Sequence, residues 1–437
     1  MKIGRSFWWV VGLLVISIIA RITPGLSDNI MYLRLVITWG LMIVLCFIWT
    51  AFSLTGVHVQ RRARILRHQV GQTFIERFDL INRSSIYKLW IKIEDQSDLP
   101  NNGGSRILTG IGRGESRSYS SYNLLSYRGI YNLGPTYITS GDIFGLFTLT
   151  KRLKNETQLL VLPYLVEINS LPAPFGSLPG GRALRRKTTE VTPYSAGVRE
   201  YMPGDPLRRI HWPTSARKQT LIVKEFEKDP LAEIWIFVDV NKANSFELVE
   251  TGTMEVSEEN KFWMGKRTKF NLPPSTLEYS ISAAASIAKY YIYKRREVGL
   301  SASGQIHALL HPERGERQFG KILDTLSLLK AEGKISLYEL VSPQISSLVR
   351  GSTIILITSS AGSDVIATAS EIVQHGMLPL VVLIDQESFG GQSGSVDLEL
   401  LLESRNIPVT RVTNGADLAS ALGENLFRKS QFIGMRR

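Results

Sequence analysis

From Leu35 to Val57 the chain runs for 23 residues without a charge, and nothing else in the sequence constrains its fold as strongly. A helix rises about 1.5 Å per residue, so about 20 apolar residues cross the hydrocarbon core of a bilayer. A shorter uncharged run, Phe7 to Ala20 (FWWVVGLLVISIIA), precedes it, followed by Arg21 and the turn signal Thr23-Pro24-Gly25. That first run spans only with help from Ile22 and its flanks, Arg21 reaching back to the interface. A cleaved signal peptide competes for it. No small-residue cleavage site stands before Arg21, and the stronger run behind it favours a transmembrane hairpin within residues 1–60, with helices near 7–22 and 35–57.

Basic residues near span ends set orientation. Lys2 and Arg5 precede the first run and Arg61, Arg62, Arg64 and Arg67 follow the second, whereas the connection holds only Arg21, Asp28 and Arg34. This predicts a multi-pass protein of the inner (plasma) membrane with both termini cytoplasmic. The arginine collar suits anionic headgroups and serves equally as a stop-transfer flank. Across 437 residues Lys and Arg outnumber Asp and Glu by 51 to 39, an excess that favours an acidic partner, a nucleic acid or an anionic membrane without choosing among them. The single cysteine, Cys46, excludes an intrachain disulfide framework, and the six histidines show no metal-ligand spacing.

Beyond the membrane segments, residues 66–168 carry short alternating runs at Thr73–Leu80, Tyr87–Ile93, Arg117–Leu124, Thr136–Thr139 and Leu159–Leu162, separated by turn-rich stretches. That pattern predicts a β-sandwich without a catalytic constellation. Two glycine- and aromatic-rich runs, Arg128–Pro135 and Gly141–Phe147, read as tight turns whose aromatics fill core.

Residues 182–229 are the most informative. Pro203-Gly204-Asp205-Pro206 is a strong turn signal. Around it stand Arg199, Arg208, Arg209, Arg217, Lys218 and Lys224, with Glu200, Asp205, Glu225 and Glu227, and Arg182, Arg185, Arg186 and Lys187 upstream. Arginine at this density pairs bidentately with carboxylates or phosphates. Three readings stand open: arginines paired with Glu200, Asp205 and Glu225 to fix a loop, a docking face for an acidic partner, or nucleic-acid binding. Tyr201 and Trp212 alone give the last little of the aromatic interleaving it needs, so no nucleic-acid partner is expected. His211, Ser215 and Asp205 have the composition of a nucleophilic triad, but geometry defines one, and no nucleophile elbow accompanies them.

The segment resembles the signature of the family known as domain of unknown function 58. The matching elements are Arg199-Glu200-Tyr201, Pro203-Gly204-Asp205, Arg208-Arg209-Ile210-His211-Trp212, Ser215-Ala216-Arg217 and Val223-Lys224-Glu225-Phe226-Glu227. The upstream Arg-Gly-Ile-Tyr and Asp-Ile-Phe-Gly-Leu-Phe runs and the paired membrane segments are similar to that family too. The resemblance implies a non-enzymatic partner of a MoxR-type AAA+ ATPase that helps other proteins mature or assemble. The rival enzyme reading is a hydrolase using Ser215 or His211.

Residues 230–437 open with a buried-strand run, Glu233–Val240, and continue with strands at Thr353–Thr358, Leu378–Ile384 and Val409–Val412. Helical patterns at Ser275–Arg296, Arg317–Glu332, Asp364–His375, Val396–Arg405 and Ala416–Phe427 interleave with them. Alternation of this kind predicts an α/β domain with a parallel, Rossmann-like sheet. The order resembles a von Willebrand factor A-like domain, which implies a divalent ion at the end of the first strand. Here Asp239-Val240-Asn241-Lys242-Ala243 keeps the first Asp but puts Asn and Ala where such a loop has two Ser. Thr276 and Asp364 are further candidates. An Mg²⁺ site wants at least one or two carboxylates, and Lys242 opposes it. No cofactor is expected, and a cation-dependent binding protein centred on Asp239 remains the alternative. The insertion Asn244–Pro274 reads as an exposed loop.

Overall fold

The structure, a computed structural model, describes residues 1–23, 30–63, 65–100, 104–154, 156–171, 187–188, 195–203, 205–207, 210–227, 233–248 and 270–425. They form two compact units, Met1–Leu162 and Pro163–Arg437.

In the first unit a two-residue strand, β1 (Lys2–Ile3), leads into helices α1 (Arg5–Ile22) and α2 (Ile30–Ser53). Both helices are long and apolar enough to cross a bilayer. α2 is shifted from the predicted 35–57 toward the N-terminus. Charge counting misses this because Arg34 is tolerated inside the helix. At the other end Gly56 turns the chain at φ +68°, and Leu54 and Val57 leave the helix for a β core.

Ten strands follow: β2 (Val57–Ala63), β3 (Arg67–Gln69), β4 (Thr73–Asn82), β5 (Lys88–Asp95), β6 (Arg106–Ile111), β7 (Ser116–Leu124), β8 (Gly129–Leu133), β9 (Thr136–Gly141), β10 (Phe147–Leu153) and β11 (Thr157–Leu162). They pair as β1-β10-β9-β5-β6, β2-β4-β7 and β3-β11-β8. β4 alternates exposed and buried residues, as a strand with one face on a core must. The first two sheets face each other over Val59, Phe78, Leu80 and Tyr119 from one side and Ile91, Ile93, Ile111 and Ile138 from the other. Two sheets thus pack over a shared core in the region expected to be a sandwich; β4, β5, β7, β9 and β11 lie within two residues of the predicted runs, whereas β2, β3, β6, β8 and β10 were not anticipated.

The arginine collar needs correction. Arg61 and Arg62 belong to β2, a strand the alternation pattern failed to reveal. Arg61 points inward, its side chain 5% exposed, and bonds Glu76 and Asp95 instead of headgroups. Arg62 pairs with Asp79, Arg67 lies in β3, and Arg64 lies outside the described residues.

Several bonds tie the helices to the sandwich. Gly4 N–H donates to Leu146 O at 2.8 Å, and Thr50 Oγ1 donates to Phe147 O at 3.4 Å. Lys88, 1% exposed, donates from Nζ to Phe52 O at 3.0 Å. Its ammonium complements the carbonyl end of α2, whose last turn has no basic residue. Burial holds the Lys88 amine below its ordinary range. The residue before α1 and the last turn of α2 thus meet the same sheet.

In the second unit β12 (Lys187–Thr188), β13 (Ser195–Glu200) and β14 (Ile222–Glu227) form a small antiparallel sheet, with helix α3 (Trp212–Lys218) between β13 and β14 in sequence. The rest is β15 (Ile234–Val238), α4 (Thr276–Tyr293), β16 (Val298–Ser303), β17 (His307–Glu313), α5 (Glu316–Leu328), α6 (Leu337–Ile345), β18 (Thr353–Thr358), α7 (Ser363–Gln374), β19 (Leu378–Ile384), α8 (Ser395–Ser404) and β20 (Val409–Val412). The sheet runs β17-β16-β15-β18-β19-β20, parallel except for the edge strand β17. β15 and β18 are buried at every residue, which explains their unbroken apolar runs.

β18, β19 and β20 match their predicted bounds, whereas β16, β17 and α6 were not anticipated. Val298–Ser303 is mostly small residues (VGLSAS), and Pro343 lies inside α6, so neither gives the expected pattern. Within the expected helix Ala416–Phe427 the described residues are helical from Leu418 to Asn425, a short α-helical turn at Leu418–Ser420 continuing into a wider π-helical stretch at Ala421–Asn425, and the remainder lies outside the described residues.

Candidate functional site

The signature segment folds as a strand, a loop, a short helix and a returning strand. β13 and β14 pair antiparallel, with Arg199 opposite Val223 and Glu200 opposite Ile222. Arg199 then closes the loop: its two terminal nitrogens each donate to a different carboxylate oxygen of Asp205 at 2.7 Å. One of them also reaches Glu200 O at 2.9 Å, and Asp205 Oδ2 accepts the Met202 N–H at 3.0 Å. Bidentate geometry of this kind fixes orientation as well as distance.

The other end of the segment is held by main-chain bonds. Tyr201 N–H donates to Leu221 O and His211 N–H to Ile222 O, both at 2.8 Å. Ser215 is buried at the centre. Its hydroxyl donates to His211 O at 3.1 Å and accepts the Ile222 N–H at 2.9 Å, bolting α3 to β14. The His211 ring meets Thr214 Oγ1 at 2.6 Å.

His211, Ser215 and Asp205 are therefore near in sequence but committed to different partners. Of the pairing expected between Arg199, Arg208 and Arg217 and Glu200, Asp205 and Glu225, the described residues hold Arg199 with Asp205, while Glu200 contributes its carbonyl instead of its carboxylate. Glu200 is exposed, Tyr201 and Lys224 are half-buried, and Arg217 is exposed on the last turn of α3 with no ion-pair partner among the described residues. Glu225 is described only in its main-chain pairing with Gly197. Gly204, Arg208 and Arg209, and upstream Arg182, Arg185 and Arg186, lie outside the described residues.

Three apolar side chains on this loop and helix reach solvent: Met202 at 63%, Leu207 at 68% and Trp212 at 64% exposure. Sequence reasoning singled out Trp212 and overlooked the other two, because isolated apolar residues in a polar loop carry no periodicity.

A second constellation lies where β15 and β18 end. β16 and β18 flank β15 on opposite sides, so the chain reverses its winding there, at the position where open α/β sheets form a crevice. Asp239, 6% exposed, stands at the end of β15. Its Oδ2 accepts from Thr358 Oγ1 at 2.7 Å and Asn244 Nδ2 at 3.1 Å, and its Oδ1 from Asn241 N at 2.9 Å. Burial lifts the Asp239 carboxyl above its ordinary range against the pull of these bonds, and the charge of Asp364 adds to the rise.

The cleft is shallow and also lined by Ser245, Thr276, Ser280 and Ser359. Asp239, Thr276 and the Thr358–Ser360 end of β18 lie together here, with Asp364 tied to Ser360 at 3.2 Å. The donor set nonetheless fits a divalent ion poorly. Three protein donors occupy both Asp239 oxygens, and Thr276 Oγ1 is engaged by the Phe246 N–H at 3.0 Å. Among the described residues no group of three His, Cys, Asp or Glu converges. Most of the insertion, residues 249–269, lies outside the described residues.

These features define a class first: a chain with two apolar helices, a sheet-rich body and a parallel sheet, whose signature residues 197–337 match the model described as protein of unknown function DUF58. A particular relative is the "Uncharacterized protein YeaD" of Bacillus subtilis (strain 168), 22% identical over 297 residues, which are 66% of this chain and 64% of the relative. Two of the solved structures this chain resembles are faint likenesses. A β-glucosidase from Listeria innocua is 9% identical over 24% of this chain and 16% of its own, at a TM-score of 0.17. The CARDB domain of PF1109 from Pyrococcus furiosus is 14% identical over 24% of this chain and 91% of its own, at 0.18. Likenesses that faint carry no functional inference.

Proposed function

We propose that the chain is a membrane-anchored adaptor without enzymatic activity of its own. It is held in the inner membrane by a hairpin of α1 and α2, with both termini in the cytoplasm, and it presents the signature loop to a MoxR-type AAA+ ATPase acting on a protein client. The observation that carries this reading is the division of labour in the signature. Its polar groups fix the loop, through Arg199–Asp205 and Ser215–Ile222, while Met202, Leu207 and Trp212 are left facing water. Exposed apolar side chains on a rigid frame suit protein binding, because little side-chain or loop entropy is lost on docking. In this reading the C-terminal unit is von Willebrand factor A-like, its crevice keeping the shape of a cation site without the ligands.

Co-purification from detergent-solubilised membranes tests the proposal. The unmodified chain is expected to recover an AAA+ ATPase, and Trp212→Ala to lose it. Failure of the unmodified chain to recover any such ATPase contradicts it. The cation-dependent reading is favoured by the convergence at Asp239 and is tested separately below.

A further inference from the structure

The turn Asp142–Gly145, between β9 and β10, is built differently from what its sequence suggests. Leu146 and Phe147 fill core, but Ile143 and Phe144 stand in the open at 72% and 58% exposure. The turn is nevertheless rigid. The buried Asp142 carboxylate accepts the N–H groups of Phe144, Leu146 and Phe147 at 3.0, 3.1 and 2.7 Å, and Gly145 supplies a left-handed φ of +69°. Two large apolar side chains are thus displayed at a fixed tip.

That tip lies beside the point where the helices enter their apolar stretch. Gly4, the residue before α1, bonds Leu146, and a Cβ there would clash with the Gly145 carbonyl oxygen. Leu146 and Phe147 share a buried cluster with Phe7, Val10, Met42, Ile43 and Cys46. The Phe147 ring lies 5.3 Å from Phe7 and 5.7 Å from Phe47. On the same turn of α1, Trp8 and Trp9 are 68% and 79% exposed, and Lys2 and Arg5 precede them. Tryptophans with flanking basic residues mark the headgroup level of a bilayer.

We propose that Ile143 and Phe144 form a third membrane contact, an apolar wedge seated in the boundary between headgroups and acyl chains, which fixes the sandwich against the lipid surface. This rests on the reading of α1 and α2 as membrane spans. Lipid is the occupant because the turn that carries the wedge bonds Gly4, about one helical turn before Trp8 and Trp9, and its next two residues, Leu146 and Phe147, pack on both helices. Asp142 sets the turn in advance, so insertion orders nothing new.

The test uses the full chain, with Cys46→Ala, reconstituted in phosphatidylcholine–phosphatidylglycerol vesicles carrying a nitroxide at a shallow acyl position. Single cysteines labelled with an environment-sensitive fluorophore are placed by Phe144→Cys, by Ile16→Cys in mid-α1, and by Ile75→Cys. Ile75 is exposed and lies beyond Glu76, which pairs with Ala63 at the end of β2 away from α2. Loss of emission at 144 and 16 but not at 75 is the expected result. Loss at 16 alone, with 144 behaving like 75, overturns the wedge and leaves the membrane spans standing. Shielding of 144 from aqueous iodide without nitroxide quenching assigns the tip to a protein partner and also overturns it. No loss at 16 overturns the spans, and the wedge with them.

Discussion

Arg61 donates from Nε to Glu76 Oε2 at 2.7 Å in the interior of the sandwich, and its terminal nitrogens reach both oxygens of Asp95 at 3.1 and 2.9 Å. Two carboxylates share one guanidinium here, and Glu76 Oε1 has no hydrogen-bond partner among the described residues. Removing the cation leaves buried negative charge uncompensated. Arg61→Ala should therefore cost about 3–5 kcal/mol, visible as a large fall in Tm of the full chain in detergent. A variant as stable as the parent contradicts the ion cluster.

The same cluster predicts a pH dependence. Burial pushes the Glu76 carboxyl above its ordinary range, more strongly than Arg61 pulls it down. A group whose folded value is raised contributes stability that is complete below its unfolded value and lost as pH rises through the folded one. Glu76→Gln should therefore resemble the parent in mild acid and gain on it toward neutral pH, flattening that part of the profile. Thermal melts across this range check the sign, and a parent that gains on Glu76→Gln as pH rises contradicts it.

Ser215 is expected to be structural. Ser215→Ala leaves the buried Ile222 N–H without its acceptor and should cost about 1–3 kcal/mol. A fluorophosphonate probe should leave Ser215 unlabelled in the parent protein. Labelling at Ser215, or substrate turnover that Ser215→Ala abolishes, would revive the hydrolase reading.

Asp239 distinguishes a cation site from a hydrogen-bonded keystone. Asp239→Ala strands the donors of Thr358, Asn241 and Asn244 and should cost about 3 kcal/mol, while Asp239→Asn should cost less. Adding Mg²⁺ should leave the parent melt unchanged, since both carboxylate oxygens are engaged. A Mg²⁺-dependent rise in Tm that Asp239→Asn removes would support the cation-dependent alternative.

How legible these features were depended on where their causes lie. β18 and β19 could be read closely because strands covered on both faces show as apolar runs, and Thr73–Leu80 because one-sided burial alternates. Arg61 was misplaced because an arginine behind a span reads as a flank, and only the fold brings Glu76 and Asp95, 15 and 34 residues away, to meet it. Lys88 was overlooked for the same reason. The Arg199–Asp205 pair was accessible because its partners lie six residues apart around a Pro-Gly-Asp turn. Phe144 was misread as core because composition alone cannot say which aromatics of a turn face inward.

The most direct test of the adaptor reading places a photo-crosslinking amino acid at Leu207 of the full chain in its native membrane. The account predicts a covalent adduct with an AAA+ ATPase, weakened by Arg199→Ala, which releases the loop from Asp205. Absence of any ATPase adduct, or an adduct indifferent to Arg199→Ala, would contradict it.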